Sequence, residues 1–320
     1  MKSLKRIPFF HLMILLGAGC WGHAFAQTAP LAIKPIRPSQ KASVMQTVGV
    51  TDITITYYRP GVKGRPIFAD APADMEARHK GEATLDNQNE RKAGEPIVPY
   101  NHVWRAGAND ATVFQVTDDV LINGQPLKAG MYSMHMVPGK DEWTIIFNND
   151  AGQWGSFTYD AAKDALRVKT KAMAASDSQE WLVYTFDPVT DNSATVNLRW
   201  EKMKVPFTVE VKDVKAAWRK QADALIAANP SNEVLPLQVA STYLNRDKNY
   251  DEALKFVNQS IKLKETFGNL STKANILWVM GKKEEAMAQG DAAVAKGKAD
   301  KANTANFEKR LADMKAGKLQ

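Results

Sequence analysis

At about residue 212 the hydrophobic period of this chain changes. Upstream, runs such as Thr54-Ile55-Thr56-Tyr57 and Thr195-Val196-Asn197-Leu198 alternate polar and apolar side chains, whereas from Asp213 to Gln320 the apolar residues recur at helical spacing. A period of about two puts successive side chains on opposite faces of a sheet, and a period near 3.6 gathers them on one helix stripe, so a single packing scheme does not serve both halves. The expectation is a multidomain chain, with an all-β sandwich or jelly roll over residues 40–212 and an all-α domain over residues 213–320.

The first residues carry Lys2, Lys5 and Arg6, then a mostly apolar stretch from Ile7 to Ala18, then Ala24-Phe25-Ala26. A basic start, a short apolar run and small residues at alternate positions read as a secretory signal over residues 1–26, which predicts a periplasmic or secreted protein. The apolar run is too short to span a bilayer, and no later stretch approaches the required length. Cys20 is the only cysteine and falls inside the signal, so the processed chain has no thiol for disulfides, nucleophilic catalysis or metal. The rival reading, a lipoprotein acylated on Cys20, wants a branched aliphatic residue three positions earlier, where Gly17 stands.

The formal charge of +7, from 42 Lys and Arg against 35 Asp and Glu, falls to +4 when Lys2, Lys5 and Arg6 leave. The excess lies in the helical half, with 18 basic against 13 acidic residues from Asp213 onward, while residues 27–212 hold 21 against 22. A neutral sheet half without a basic, aromatic-lined groove gives no sign of a nucleic-acid partner.

After an extended, proline-bearing leader at 27–39, strands are expected at Ser43–Val48, Asp52–Tyr58, His102–Ala106, Thr112–Thr117, Val120–Ile122, Gly130–Val137, Glu142–Asn148, Ala165–Lys171, Glu180–Asp187, Ser193–Glu201 and Val205–Lys212. The polar stretch 70–96 is too long for an ordinary β connection and reads as a surface insertion or a lid. Helices are expected at Asp213–Ala228, Glu233–Asn245, Tyr250–Lys264, Thr272–Met280, Lys283–Lys296 and Asp300–Lys315. At an offset of 33 residues Leu237 matches Leu270, Ser241 matches Ala274, Leu244 matches Leu277, Ala253 matches Ala286 and Ser260 matches Ala293. Tyr250-Asp251-Glu252-Ala253-Leu254 and Lys283-Glu284-Glu285-Ala286-Met287 resemble the opening of the second helix of a degenerate tetratricopeptide repeat, which implies a surface for a protein or peptide partner. A helical bundle that only braces the sheets is the plainer alternative.

Three segments of the sheet half are dense in functional atoms: Tyr57–Arg65, Pro99–Asn109 and Gln153–Phe157. Together with Arg37-Pro38-Ser39-Gln40, Gly139-Lys140-Asp141-Glu142-Trp143-Thr144 and the run Asp191–Glu201, they make residues 37–211 resemble the secreted bacterial proteins of domain-of-unknown-function family 2911, a resemblance that implies no activity. From the residues themselves, Arg59, Arg65 and Arg105 offer planar forks of donors suited to carboxylate or phosphate. With Trp104, Asn109 and Trp154 they are the candidate ligand-binding set, for an acidic, sugar-like or peptide ligand; turn chemistry for the arginines and core positions for the tryptophans are the plain alternative.

His102, Asp110 and His135 are the weaker catalytic candidates, as a base with its orienter or a metal set, although no metal-ligand spacing occurs and His135 alternates with Met134 and Met136 as a satisfied or surface histidine would. Nucleophile elbows, phosphate loops and dinucleotide glycine spacings are absent, and no metal or cofactor is expected. The reading is a cell-envelope binding or adaptor protein; an envelope hydrolase acting on carbohydrate or peptide and a purely structural protein are the alternatives.

Overall fold

The computed structural model describes residues 33, 35–73 and 92–319. The expected signal with Cys20, residues 27–32 of the leader, and most of the 70–96 insertion with His79 lie outside the described residues. The chain divides into two units, Met1–Arg37 and Pro38–Gln320. All the sheets and helices described below belong to the second.

β1 (Gln40–Val48) and β2 (Thr51–Arg59) form a hairpin about Gly49-Val50. Alternation in β2 sends Ile53, Ile55 and Tyr57 inward and leaves Thr54, Thr56 and Tyr58 half-buried on the other face. With β5 (Thr112–Val116), β8 (Gly130–Val137), β9 (Glu142–Asn148) and β10 (Asp164–Lys171) they make a six-stranded antiparallel sheet in the order β1-β2-β5-β8-β9-β10. The second sheet has the order β11-β12-β6-β7, built from β6 (Val120–Ile122), β7 (Gln125–Leu127) and the long hairpin β11 (Met173–Val189) and β12 (Ser193–Glu210).

Inner faces of the two sheets share one core, in which Ile55, Phe114, Met134 and Phe147 pack with Leu182, Val196, Leu198 and Phe207. This is the expected sandwich. Two residues each of β3 (Phe68–Ala69) and β4 (Val98–Pro99) pair in parallel and join the two ends of the 70–96 insertion, with Val98 N donating to Ile67 O at 2.8 Å.

Three differences from the sequence expectation have local causes. His102–Ala106 is not a strand: positive φ at Asn101 and Ala106 turns the backbone out of extension, and only Trp104 bridges to Met136. β12 runs unbroken through Glu201, which absorbs a register shift at φ +51° where two strands were expected. Strands β3, β4 and β7 span only two or three residues, too few to display a period.

Six helices follow: α1 (Val214–Ala228), α2 (Val234–Thr242, continued by a π turn at Tyr243–Asp247), α3 (Tyr250–Leu263), α4 (Phe267–Val279), α5 (Lys283–Ala299) and α6 (Ala305–Lys315). The fourth starts five residues before the expected Thr272, because Thr266 and Asn269 form a reciprocal capping box that satisfies the first free amides. The last starts at Ala305, not Asp300. Consecutive helices pack as neighbours, and of the six small residues of the 33-residue offset Ala253, Ser260, Ala274, Ala286 and Ala293 are fully buried, while Ser241 is partly buried. No described helix is long and apolar enough to cross a membrane.

α1 ties the helices to the sandwich. Its Gln221 donates to Asp118 Oδ2 at 2.8 Å and to Val50 O at 3.1 Å, and Thr51 Oγ1 donates to the same Asp118 oxygen at 3.0 Å. Val214 covers Gly49, whose φ is +62° and where a Cβ would sit 2.4 Å from Val214 Cγ1. Left-handed backbone and a steric wall both demand glycine here. Gly49→Ala is therefore expected to destabilise by about 2 kcal/mol. Val214→Ala in the same chain should recover the steric part and not the backbone part, which a denaturant double-mutant cycle measures as a non-additive term.

Candidate functional site

The first arginine pair lies at one corner of the sandwich. Beyond β2, Pro60–Val62 runs antiparallel to Glu180–Leu182, with Leu182 N donating to Pro60 O at 3.0 Å and Val62 N to Glu180 O at 2.8 Å. The ladder asks Pro60 for an amide that proline lacks. Arg59 supplies the missing donor, its Nε reaching Leu182 O at 2.8 Å. At Gly61 a Cβ would lie 3.2 Å from the Trp181 ring, so the absence of a side chain lets the indole lie across the strand. Lys63 and Gly64, at φ +49° and +67°, turn the chain, and Arg65 N closes the turn onto Val62 O at 3.0 Å. The Arg65 guanidinium folds back onto Gly61 O at 2.7 Å and Val62 O at 3.2 Å. Lys63 Nζ sits 5.6 Å from the centre of the Trp181 ring, which is 39% exposed.

Arg105, Asn109 and Trp154 come together at a second place, where the chain passes the end of β2: a Cβ on Gly107 would lie 3.1 Å from Tyr58 O. Ala111 N donates to Gln153 O and Gly155 N to Asn109 O, both at 3.0 Å, so Asp110 and Trp154 face each other as a bridge. Arg105 is buried, donates Nη1 to Asn109 O at 2.6 Å, and lies 5.6 Å from the Phe157 ring. Asn109 takes φ +58° and donates Nδ2 to Ser39 O at 3.1 Å. Trp154 and Phe157 are about half exposed on this loop. Trp104 is not part of it: buried, stacked on Trp200 at 6.0 Å and donating Nε1 to Gly107 O, it is a core residue.

His135 proves to be buried, not a surface residue. The even-numbered residues of β8 face the main core, while Ser133, His135 and Val137 face the outer side of the sheet, which Val103, Tyr159 and the loop after β9 cover. Its Nδ1 lies 3.0 Å from Ser156 Oγ and its Nε2 3.0 Å from Ser133 Oγ, and Gln153 Nε2 donates to Ser133 Oγ at 3.4 Å and to Asp150 O at 2.9 Å. Beside the ring, Tyr159 donates to Asp164 Oδ2 at 2.7 Å, and burial followed by that carboxylate pushes its phenol up to about 12. Both ring nitrogens of His135 are taken by Ser133 and Ser156, so neither His102 nor Asp110 is hydrogen-bonded to it. Both serine hydroxyls beside His135 are fully buried, which suits a brace holding the loop and denies a nucleophile its approach. Among the described residues no group of three His, Cys, Asp or Glu is placed to hold a metal.

Two clefts flank Trp218 in the helical half. One, of about 490 Å³, runs between α1 and α2 and is lined by Trp218, Ala222, Leu225, Ile226, Leu235 and Val239 with Gln221, Gln238 and Thr242. The other, of about 350 Å³, is polar and includes Lys215, Arg219 and Asp247. Between them Arg219 donates to Glu252 at 2.6 Å and to Tyr243 Oη at 3.0 Å, with its guanidinium 4.4 Å from the Phe256 ring. Trp181, Ser133 and Trp218 are absent from the sequence candidates, and Lys63 enters only within the segment Tyr57–Arg65; the proximity of Trp181 to Gly61 spans 120 residues and leaves no local signal.

Burial, and then the Arg105 charge, lower the His135 pKa from 6.5 to about 4, with Asp150 opposing. The imidazole is thus neutral in the fold and titrates near its ordinary value in the unfolded chain, which binds more protons between those limits. Its contribution is complete above about pH 6.5 and is lost as pH falls toward 4, on the order of 3 kcal/mol. Urea unfolding should show a wild-type stability drop across that window that is smaller in His135→Gln; equal drops would contradict the assignment.

No characterised protein and no solved structure matches the chain. Residues 86–209 match the model of the family described as Protein of unknown function (DUF2911).

Proposed function

We propose that this chain is a secreted or periplasmic binding and adaptor protein, in which the sandwich is a rigid base and the tetratricopeptide-like helices dock a protein or peptide partner. The observation that carries the reading is the cleft between α1 and α2. Trp218, Ala222, Leu225 and Ile226 fall at successive turns of α1 and face Leu235 and Val239 of α2, and Leu225 remains 52% exposed at the rim. Apolar surface left in water costs about 25 cal/mol per Å², and two helix stripes that do not fully close on each other form a seat for a third. The polar groups of the lining, Gln221, Gln238 and Thr242, are uncharged, so the occupant that fits is an amphipathic helix with apolar anchors. Export rests on the residues of the expected signal, Met1–Ala26.

The burial of Ser133, His135 and Ser156 supports binding over hydrolysis. A purely structural role is separated from docking by one substitution. Leu225→Glu in the full chain puts a charge at an exposed rim position, so stability should change by no more than about 0.5 kcal/mol. Recovery of partners from envelope extract by the tagged variant is expected to fall at least tenfold below wild type; partners recovered equally by both would end the docking proposal.

A further inference from the structure

Arg59, Lys63 and Arg65 place three cations on one turn at the corner of the sandwich, and among the described residues no carboxylate pairs with any of their side chains. The guanidiniums are nonetheless held. Among the described residues Arg59 is fixed through Nε alone, and a guanidinium has five N–H donors, so the fork formed by its two terminal nitrogens is engaged by no acceptor there. Arg65 is fixed through Nε and Nη2, which leaves Nη1 in the same condition. Both are oriented by backbone carbonyls on either side of the Gly61–Trp181 pair, so their direction is set by the strand ladder and not by side-chain chance. Beside them lies an exposed indole with Lys63 over it. Glu180, the nearest carboxylate in the ladder, accepts from the Lys63 backbone amide at 2.9 Å and so helps to shape the turn.

We infer that this corner is a binding site for a small acidic ligand, whose carboxylate or phosphate group is received by Arg59 and Arg65 with Lys63, and whose body lies against Trp181. Charge complementarity and prior orientation argue for it together. A guanidinium anchored by one edge presents the other for a two-point contact with an oxyanion and loses little freedom on binding. An aromatic face next to such a fork favours a ligand with a compact ring or alkyl body over a bare ion. The site belongs to the sandwich and stands whether or not the helical cleft docks a partner.

Glucuronate and glycerol 3-phosphate serve as carboxylate and phosphate probes, titrated into the full chain by calorimetry at low and high salt. Lys63→Gln with Arg65→Gln is the test variant, because Arg59 also completes the ladder at Pro60 and its loss would confound binding with folding. Trp181→Phe provides a second readout through the indole fluorescence that changes on binding. Saturable binding by at least one probe, weakened by salt and at least fivefold weaker in the double variant, is the expected result, and the tighter probe identifies the acid. No saturable binding by either probe at low salt, or a loss of less than fivefold in a variant that melts like wild type, overturns the inference.

Discussion

The packing of Phe68, itself partly buried, against three indoles holds the functional surfaces of the sandwich in place. Its ring meets Trp143 at 5.0 Å, Trp200 at 5.8 Å and Trp104 at 6.1 Å, all edge to face, while Trp104 stacks on Trp200. These rings come from β3, β9, β12 and the irregular segment before β5, so one cluster joins both sheets to a stretch with no strand of its own. Aromatic groups of this size dominate the apolar area a core removes from water. With Trp104 fixed, Ala106 and Arg105 are fixed too: Ala106 O accepts from Tyr184 Oη and Thr112 Oγ1, and the Arg105 guanidinium lies over Phe157 of the loop after β9. The position of Trp154 and Phe157 thus traces back to a contact on the other side of the sheet.

Polar atoms finish what the apolar core begins. Gaps in the backbone ladder are filled by side chains in two places: Arg59 stands in for the amide of Pro60, and Asn123 both donates to Lys169 O and accepts from Thr208 N across a sheet junction. The outer face of β8 carries Ser133 and His135 into the interior, where every ring nitrogen and hydroxyl has a partner within hydrogen-bond distance. Buried polar groups left unmatched would each cost a few kcal/mol. Here they are matched, so the polar chain acts as a clasp for the loop.

Much of the fold could be read from the sequence because the longer elements repeat their period several times. β2, β8 and β9, and the helices α1, α3 and α5, carry enough turns or alternations to be recognised, and the change at residue 212 falls between the end of β12 and the start of α1. The two-residue ladder of β3 and β4 exists only through its partner strand. The site was less legible, since burial and pairing are long-range facts. Trp104 and Trp154 look alike in sequence, yet one is 5% and the other 51% exposed. Arg59 was noticed for its charge, and its ladder role depends on Leu182, 123 residues away. His135 seemed to lie on a polar strand face because nothing local announces that the loop after β9 folds over it.

The parallel pair of β3 and β4 has one further consequence. By hydrogen-bonding Val98 N to Ile67 O and Tyr100 N to Ala69 O, it pins the two points between which the long polar connection leaves and returns. The free energy of closing a chain segment grows only with the logarithm of its length, about 0.6 kcal/mol per doubling. With its feet stapled together, this connection can lengthen or shorten with little strain on the sandwich. That makes the stapled base a port at which foreign peptide could be grafted while the rest of the architecture carries on undisturbed.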